Sequence, residues 1–380
     1  MPPHDRGRMI EVDVAIVGGG IHGCSTALHL ARRGVRVVVI ERDHVGRHAS
    51  SANAGGVRTL LRHPAEIPLS LEADAFWHRI EAELGHDCGY HGAGQLAVAL
   101  NDTTLAELVG RERQVRNLGY EHEELVDADE VRRLVPDICM QVKGGLIVRR
   151  DGAASPFHAT RAFHDAAIAA GARMLEGCEV TDIEPAPANG WIVTHRHGRV
   201  KAASLVNNAG AWGDRIAAMV GDSIPLSTYL PMMMVTTRVA PFLEPVIISS
   251  DPRLSFKQMP NGTLLIGGGR RASGDRGERR YSLDLPGLSA SASSVLTLFP
   301  KLRDVTIARA WAGFEGLFAD RIPVIGPSPN APGVFHAFGF SGHGFQLSPI
   351  VGRLVSELVL DGRSSLPIDA FSPTRFDNRA

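Results

Sequence analysis

Residues 13–23 read DVAIVGGGIHG and residues 35–41 read VRVVVIE. An apolar run that breaks into glycines, continues at helical spacing, and returns as a second apolar run ending in an acid limits the possible folds sharply. Val12 to Val17, with Asp13 its one polar residue, shows no sustained polar alternation, as in a parallel strand buried on both faces. Residues 21–33 place Ile21, Ala27, Leu28 and Ala31 on one helical face, and Gly34 ends the helix. VRVVVI then supplies a second parallel strand, completing a βαβ unit. In that setting Gly18 makes the tight turn, Gly20 lets the backbone approach a pyrophosphate, and Gly23 lets helix and strand pack closely. The helix N-terminus offers free N–H groups and partial positive charge to the phosphates. Glu41, at the end of the second strand, accepts from ribose hydroxyls and repels a 2′-phosphate. Ile21, His22 and Arg42 complete this group of candidate cofactor contacts. The reading is a dinucleotide with a free 2′-hydroxyl, and these residues alone fit NAD as well as FAD.

The chain has 380 residues, enough for two domains of ~150 residues or more. Apolar residues make up 44% and charged ones 21%, as in a soluble globular enzyme. Formal net charge is −1, so no global field favours nucleic acid or an anionic membrane. Cys24, Cys88, Cys139 and Cys178 form no CxxC pair and suit a reducing compartment. The N-terminal stretch MPPHDRGRMIEVD lacks a secretion-signal pattern. No apolar run reaches the ~18 residues of a membrane span. These points predict a cytoplasmic protein. No HExxH or zinc-spaced Cys/His set appears, so no metal is expected.

The order of elements predicts an α/β fold: a Rossmann-type cofactor-binding domain with a mostly antiparallel α+β substrate domain inserted discontinuously. Residues 9–90, 151–225 and 321–375 form the first domain, and 91–150 with 226–320 the second. Helices are expected at 70–84, 103–118, 127–134, 155–172 and 289–299, with a β-meander before the strand in RVKAASLVNNAGAW. SPIVGRLVSELVLDG reads as an amphipathic helix closed by Gly362.

Two further stretches decide between the cofactors. RDHVGRHASSANAGGVRTLLRH, after Glu41, is long for a βα connection and rich in small residues. Ser50, Ser51, Asn53, Ala54, Gly55 and Gly56 suit it to line an extended cofactor. GFSGHGFQLSP, residues 339–349, lies between a strand and a helix. There Gly342, His343, Gly344, Phe345 and Gln346 would meet a flavin, and the helix N-terminus would stabilise negative charge on the reduced ring.

Together these stretches, with LVNNAGAWGD and WAGFEGLFADRIPVIGP in the same order, resemble the D-amino acid oxidase-like (DAO) flavoprotein family over almost the whole chain. Sarcosine oxidases, glycine oxidase and the flavin subunits of opine and D-hydroxyproline dehydrogenases are the members it looks most like. The resemblance implies FAD, with Val180 at the adenine and Ala209 and Gly210 near the cofactor chain. It implies oxidation of the C–N bond of an amino or imino acid by hydride transfer to flavin N5, then imine hydrolysis. Some members attach FAD to a cysteine in the segment matching WAGFEGLFAD; this chain has none there, which implies noncovalent FAD. Sarcosine oxidase carries lysines at the positions matching Gln346 and, in TLLIGGG, Ile266. Their absence inclines the reading toward a dehydrogenase.

The chemistry needs a cation for the substrate carboxylate. Arg62 matches the carboxylate-holding arginine of sarcosine oxidase-like relatives, and Arg58 is its neighbour; a guanidinium fork reads a carboxylate bidentately. His63 is a weaker candidate, and Glu315 could pair with the substrate ammonium or an arginine. Tyr229 and Trp311 are candidate pocket walls, and Met232–Met234 strand core or a pliable pocket wall. Two alternatives stay open: a flavin 2-hydroxyacid or polyol dehydrogenase on the same fold, and the flavin subunit of a heteromeric dehydrogenase that hands electrons to a partner. A homo-oligomer is compatible with either.

Overall fold

The computed structural model describes residues 9–376. Residues 1–8, which include most of the polar start of the N-terminal stretch, lie outside them. The fingerprint folds into strand Met9–Val17, helix Ile21–Arg32 and strand Val37–Ile40. The two strands pair in parallel, Val14 opposite Val37 and Val17 opposite Ile40. Every residue of Val37–Ile40 is buried, which explains the absence of polar alternation. Arg173–Leu175 adds in parallel on one side. Gly198–Asn207 and then Val334–Phe338 add in parallel on the other, and Val324–Pro327 closes that edge antiparallel. Val180–Pro185 and Trp191–His195 form the expected meander, antiparallel on Gly198–Asn207.

Helices Ile21–Arg32, Ile67–Trp77, Pro156–Ala169 and Gly344–Asp361 join this sheet in one core, through Leu28, Leu30, Trp77, Phe163, Leu347 and Leu354. Ser155 caps the third of them by accepting from the His158 N–H, with Pro156 in the first turn. Gly362 closes the last helix in the left-handed region, φ 69°. The helix expected at 70–84 is two: Ile67–Trp77 and Ile80–Leu84, separated where Arg79 leaves helical geometry at φ −117°, ψ 16°.

A second eight-stranded sheet has the order Ile307–Ala312, Met232–Thr236, Leu264–Gly267, Arg253–Gln258, Val246–Ser250, Gln95–Ala99, Gly144–Val148, Glu124–Asp127. Only Val246–Ser250 and Gln95–Ala99 pair in parallel; every other neighbouring pair is antiparallel. Helix Leu285–Leu298 contributes Val295 and Leu298 to a core with Leu96, Ile247, Phe256, Ile266 and Met234. These strand residues alternate with a second set on the opposite face, and that face is open to the cavity described below. Among the described residues no helix is long and apolar enough to cross a membrane.

Candidate active site

One cavity of ≈ 620 Å³ runs from the glycine turn to the N-terminus of helix Gly344–Asp361 and against the open face of the second sheet. Gly18 has φ +109°, and a Cβ there would lie 2.4 Å from the Asn208 carbonyl oxygen. Gly23 does not line the cavity. A Cβ at Gly23 would lie 1.9 Å from the Gly18 carbonyl oxygen, so it serves the helix–strand packing and is no direct cofactor contact. Ser50 Oγ accepts from the Ile21 N–H at 2.9 Å, tying the long loop to the helix start. Ser51 is not among the cavity-lining residues, and its Oγ lies toward Gly46, which is. Asn53, Ala54, Gly55 and Gly56 line the cavity wall.

Glu41 is held from both sides: Oε2 accepts from the Gly19 N–H at 2.6 Å and Oε1 from the Asp43 N–H at 2.8 Å. Burial raises its pKa against these two donors. Arg42 stacks over Trp212 at 4.2 Å and pairs with Asp43. Val180, Ala209 and Gly210 line the same end. Asn208 Oδ1, also on this wall, is buried without a hydrogen-bond partner. A cradle that a Cβ would fill and an acceptor left open fit a dinucleotide laid along the Gly18–Glu41 edge.

At the other end Gly342, His343, Gly344 and Phe345 line the cavity. His343 Nδ1 meets Glu66 Oε2 at 2.8 Å. Burial, with Arg62 nearby, pushes His343 down to about 4. His22 stacks on Phe340 with ring centroids 3.8 Å apart, and burial pushes it down to about 3. Glu315 accepts from the Tyr229 hydroxyl and the Gly342 N–H; burial raises its pKa despite both. Glu315 and Tyr229 both face the cavity.

At the substrate end, four sequence candidates lie off the cavity: Arg62, Gln346, His63 and Trp311. Arg62 is buried, its Nε donating to the Arg58 carbonyl at 2.9 Å and its Nη2 to Gln346 Oε1 at 3.3 Å. Burial pushes its pKa down to about 9. Gln346 also accepts from Ser70 Oγ and donates to the Ser70 carbonyl. Gln346 thus ties helix Ile67–Trp77 to the last helix and Arg62 ties the Arg58 loop to Gln346; neither lines the cavity, and Arg62 Nη1 is buried without a partner. His63 is exposed and caps the short turn Pro64–Glu66, its Nδ1 accepting from the Ala65 N–H. Arg58 does line the cavity, with Nη1 on the Leu60 carbonyl at 3.0 Å and Asp151, Glu66 and Glu123 offsetting its charge. Trp311 stands outside and pins the long loop, donating from Nε1 to the Ala52 carbonyl at 2.8 Å.

The position proposed for a missing lysine is also corrected. Ile266 packs in the core with Met234 and Phe256; its neighbour Leu265 is the residue that faces the cavity. Directly across from Leu265, on the adjacent strand, stands Lys257. Lys257 lines the cavity, is 5% exposed, and its Nζ has no hydrogen-bond partner. Desolvation alone pushes it down to about 7. Sequence reasoning missed this residue, although the alternation in RLSFKQ puts Leu254 and Phe256 on one face and Ser255 and Lys257 on the other. Gln95, Asn208 and Trp212 were missed as well.

One cavity joins the glycine-turn edge of the first sheet to the open face of the second, an arrangement that fits a dinucleotide-dependent enzyme. Residues 13–358 match the family model described as "DAO: FAD dependent oxidoreductase", and the chain belongs to that family. It is 30% identical to one of the subunits of opine oxidase from Rhizobium meliloti, over 97% of this chain and 99% of that protein. It is 27% identical to glycine oxidase of Geobacillus kaustophilus, over 96% and 97%. The crystal structure of L-proline dehydrogenase from P. horikoshii superimposes with a TM-score of 0.91 at 27% identity, covering 98% of this chain and 99% of that one.

Of the four cysteines only Cys178 lines the cavity, beside Val180 at the Glu41 end. Acid precipitation of the holoprotein is therefore expected to leave the flavin in the supernatant. Yellow colour retained in the washed pellet would contradict this.

Proposed function

We propose that this protein oxidises the C–N bond of an amino or imino acid of the N-alkylglycine, D-amino acid, D-hydroxyproline or opine type, the product imine then hydrolysing in water. The observation that carries the reading is the continuity of the cavity: the cofactor cradle opens into a chamber lined by Arg58, Tyr229, Lys257 and Glu315. Bound FAD supplies the two-electron acceptor for the substrate hydride. The protein's own work is positioning. Glu315, fixed by Tyr229 and the Gly342 N–H, accepts from the substrate amine and orients it. Arg58 offers a guanidinium to the carboxylate. The N-terminus of helix Gly344–Asp361 supplies backbone N–H groups to developing negative charge on the cofactor. The similarity to glycine oxidase and to the opine oxidase polypeptide supports an amine substrate. That the latter is one subunit of its enzyme supports a partner protein as electron acceptor.

The test is anaerobic reduction of the bound flavin across glycine, N-alkylglycines, D-amino acids, prolines, opines and 2-hydroxy acids. Bleaching by amines is expected; bleaching by hydroxy acids alone would overturn the reading. Glu315→Gln is expected to slow flavin reduction by about 10²-fold or more while FAD content stays unchanged. Turnover with a dye faster than with O₂ is the result expected of a dehydrogenase. Rapid turnover with O₂ alone would instead identify an oxidase.

A further inference from the structure

The open face of the second sheet carries two rows of side chains toward the cavity. Strand pairing places Gln95 beside Val246 and Lys257 beside Leu265. The next row holds Ile248, Ser255 and Met233. Among the cavity-lining residues of these two rows Lys257 is the only charged one, set among Val246, Ile248, Leu265 and Met233. Its Nζ has no carboxylate, carbonyl or hydroxyl partner among the described residues. Arg58 differs: it reaches the cavity from the loop before helix Ile67–Trp77, and Asp151, Glu66 and Glu123 offset its charge. Lys257 and Val246 are also shared with a second cavity of ≈ 420 Å³, lined by Tyr90, His91, Leu243 and Met259.

A buried ammonium without an acceptor destabilises the ligand-free fold, because its hydration is lost and nothing replaces it. Such a group at a cavity wall is satisfied when a ligand brings an anion. The proposed reaction already assigns one carboxylate to Arg58. We propose that Lys257 holds a second carboxylate, so that the preferred substrate is a secondary amine flanked by two carboxylates, an N-carboxyalkyl amino acid. The adjoining cavity gives room for a side chain beyond that second carboxylate. The inference rests on the amine-oxidation reading above and narrows it.

Two thioethers test it without turnover. Thiodiacetate carries two carboxylates and methylthioacetate one, with sulfur in place of the amine nitrogen. Binding is read from the perturbed flavin spectrum of the FAD-loaded protein and from the rise in Tm. The wild type is expected to bind thiodiacetate about 10- to 100-fold more tightly than methylthioacetate. Lys257→Met is expected to erase that preference, keep the affinity for methylthioacetate, and retain FAD. Its ligand-free Tm is expected to equal or exceed that of the wild type, which a merely structural lysine would not allow. Lys257→Arg is expected to keep part of the preference. The inference is overturned if the wild type shows no preference, if Lys257→Met leaves it intact, or if that variant weakens both ligands equally. If amines bleach the flavin but the preference is absent, the inference alone fails. If no amine bleaches it and neither thioether perturbs it, the amine-oxidation reading fails too.

Discussion

Gly18→Val is expected to leave less than about a tenth of the wild-type FAD on the purified protein. Two effects act together. Gly18 sits at φ +109°, and its Cβ would come within 2.4 Å of the Asn208 carbonyl oxygen and 3.0 Å of the Ala209 Cα. Those contacts are backbone in a strand-end turn, so no side-chain rotation relieves them. The turn must open, and Asn208 and Ala209, which line the same wall, move with it. The absorbance ratio at 450 and 280 nm reads the loss, and Tm reports how much of it is unfolding. Ser51→Ala is the control: Ser51 lies off the cavity, and its flavin content is expected to match the wild type. Full flavin in Gly18→Val would show that the cradle is not where the pyrophosphate binds.

The second large effect is on acid stability. His22, whose ring nitrogens are both buried, and the partly buried His29 are neutral, with desolvation pushing them to about 3 and about 4 from the ordinary value of 6.5. In the unfolded chain both take up a proton near pH 6.5, whereas in the folded protein they resist until pH 3–4. The stability from keeping them neutral is present above pH 6.5 and is lost as the pH falls toward those folded values. At pH 4.5 the loss is of order 2–3 kcal/mol for each group, at ~1.4 kcal/mol per pH unit. His343 adds to it, partly offset by its bond to Glu66. Tm measured from pH 7.5 to 4.5 is expected to fall steeply below pH 6.5. His29→Gln, which can still reach the Pro349 carbonyl that His29 meets at 3.1 Å, is expected to flatten part of that limb. A flat profile across this range would mean these imidazoles titrate in the folded protein as they do in water.

Much of the cofactor end was legible from sequence because its rules are local. A strand, a three-glycine turn, a helix and an acid at the next strand end lie within about thirty consecutive residues, and each glycine's task follows from backbone sterics. The place of the stretch at 339–349 was legible for the same reason: it joins strand Val334–Phe338 to helix Gly344–Asp361, whose N-terminus presents its N–H groups to whatever lies in front of it. The substrate end was less legible. Arg62 and Gln346 carry the right chemistry at plausible positions, yet they bond to each other across 284 residues and do not line the cavity. His63 spends its Nδ1 on a turn of its own. Lys257 lies in an ordinary alternating strand, where nothing local distinguishes a lysine facing water from one facing a cavity.

What the sequence determined alone is the βαβ unit with its glycine turn, because hydrogen bonding, handedness and the absence of a Cβ act between near neighbours along the chain. What the tertiary structure decided is which charged groups face the cavity. That depends on register between strands far apart in sequence, where one residue of shift exchanges the two faces of a sheet. The pairing of Lys257 with Leu265 turned Ile266 into core and put an unpaired ammonium at the cavity wall.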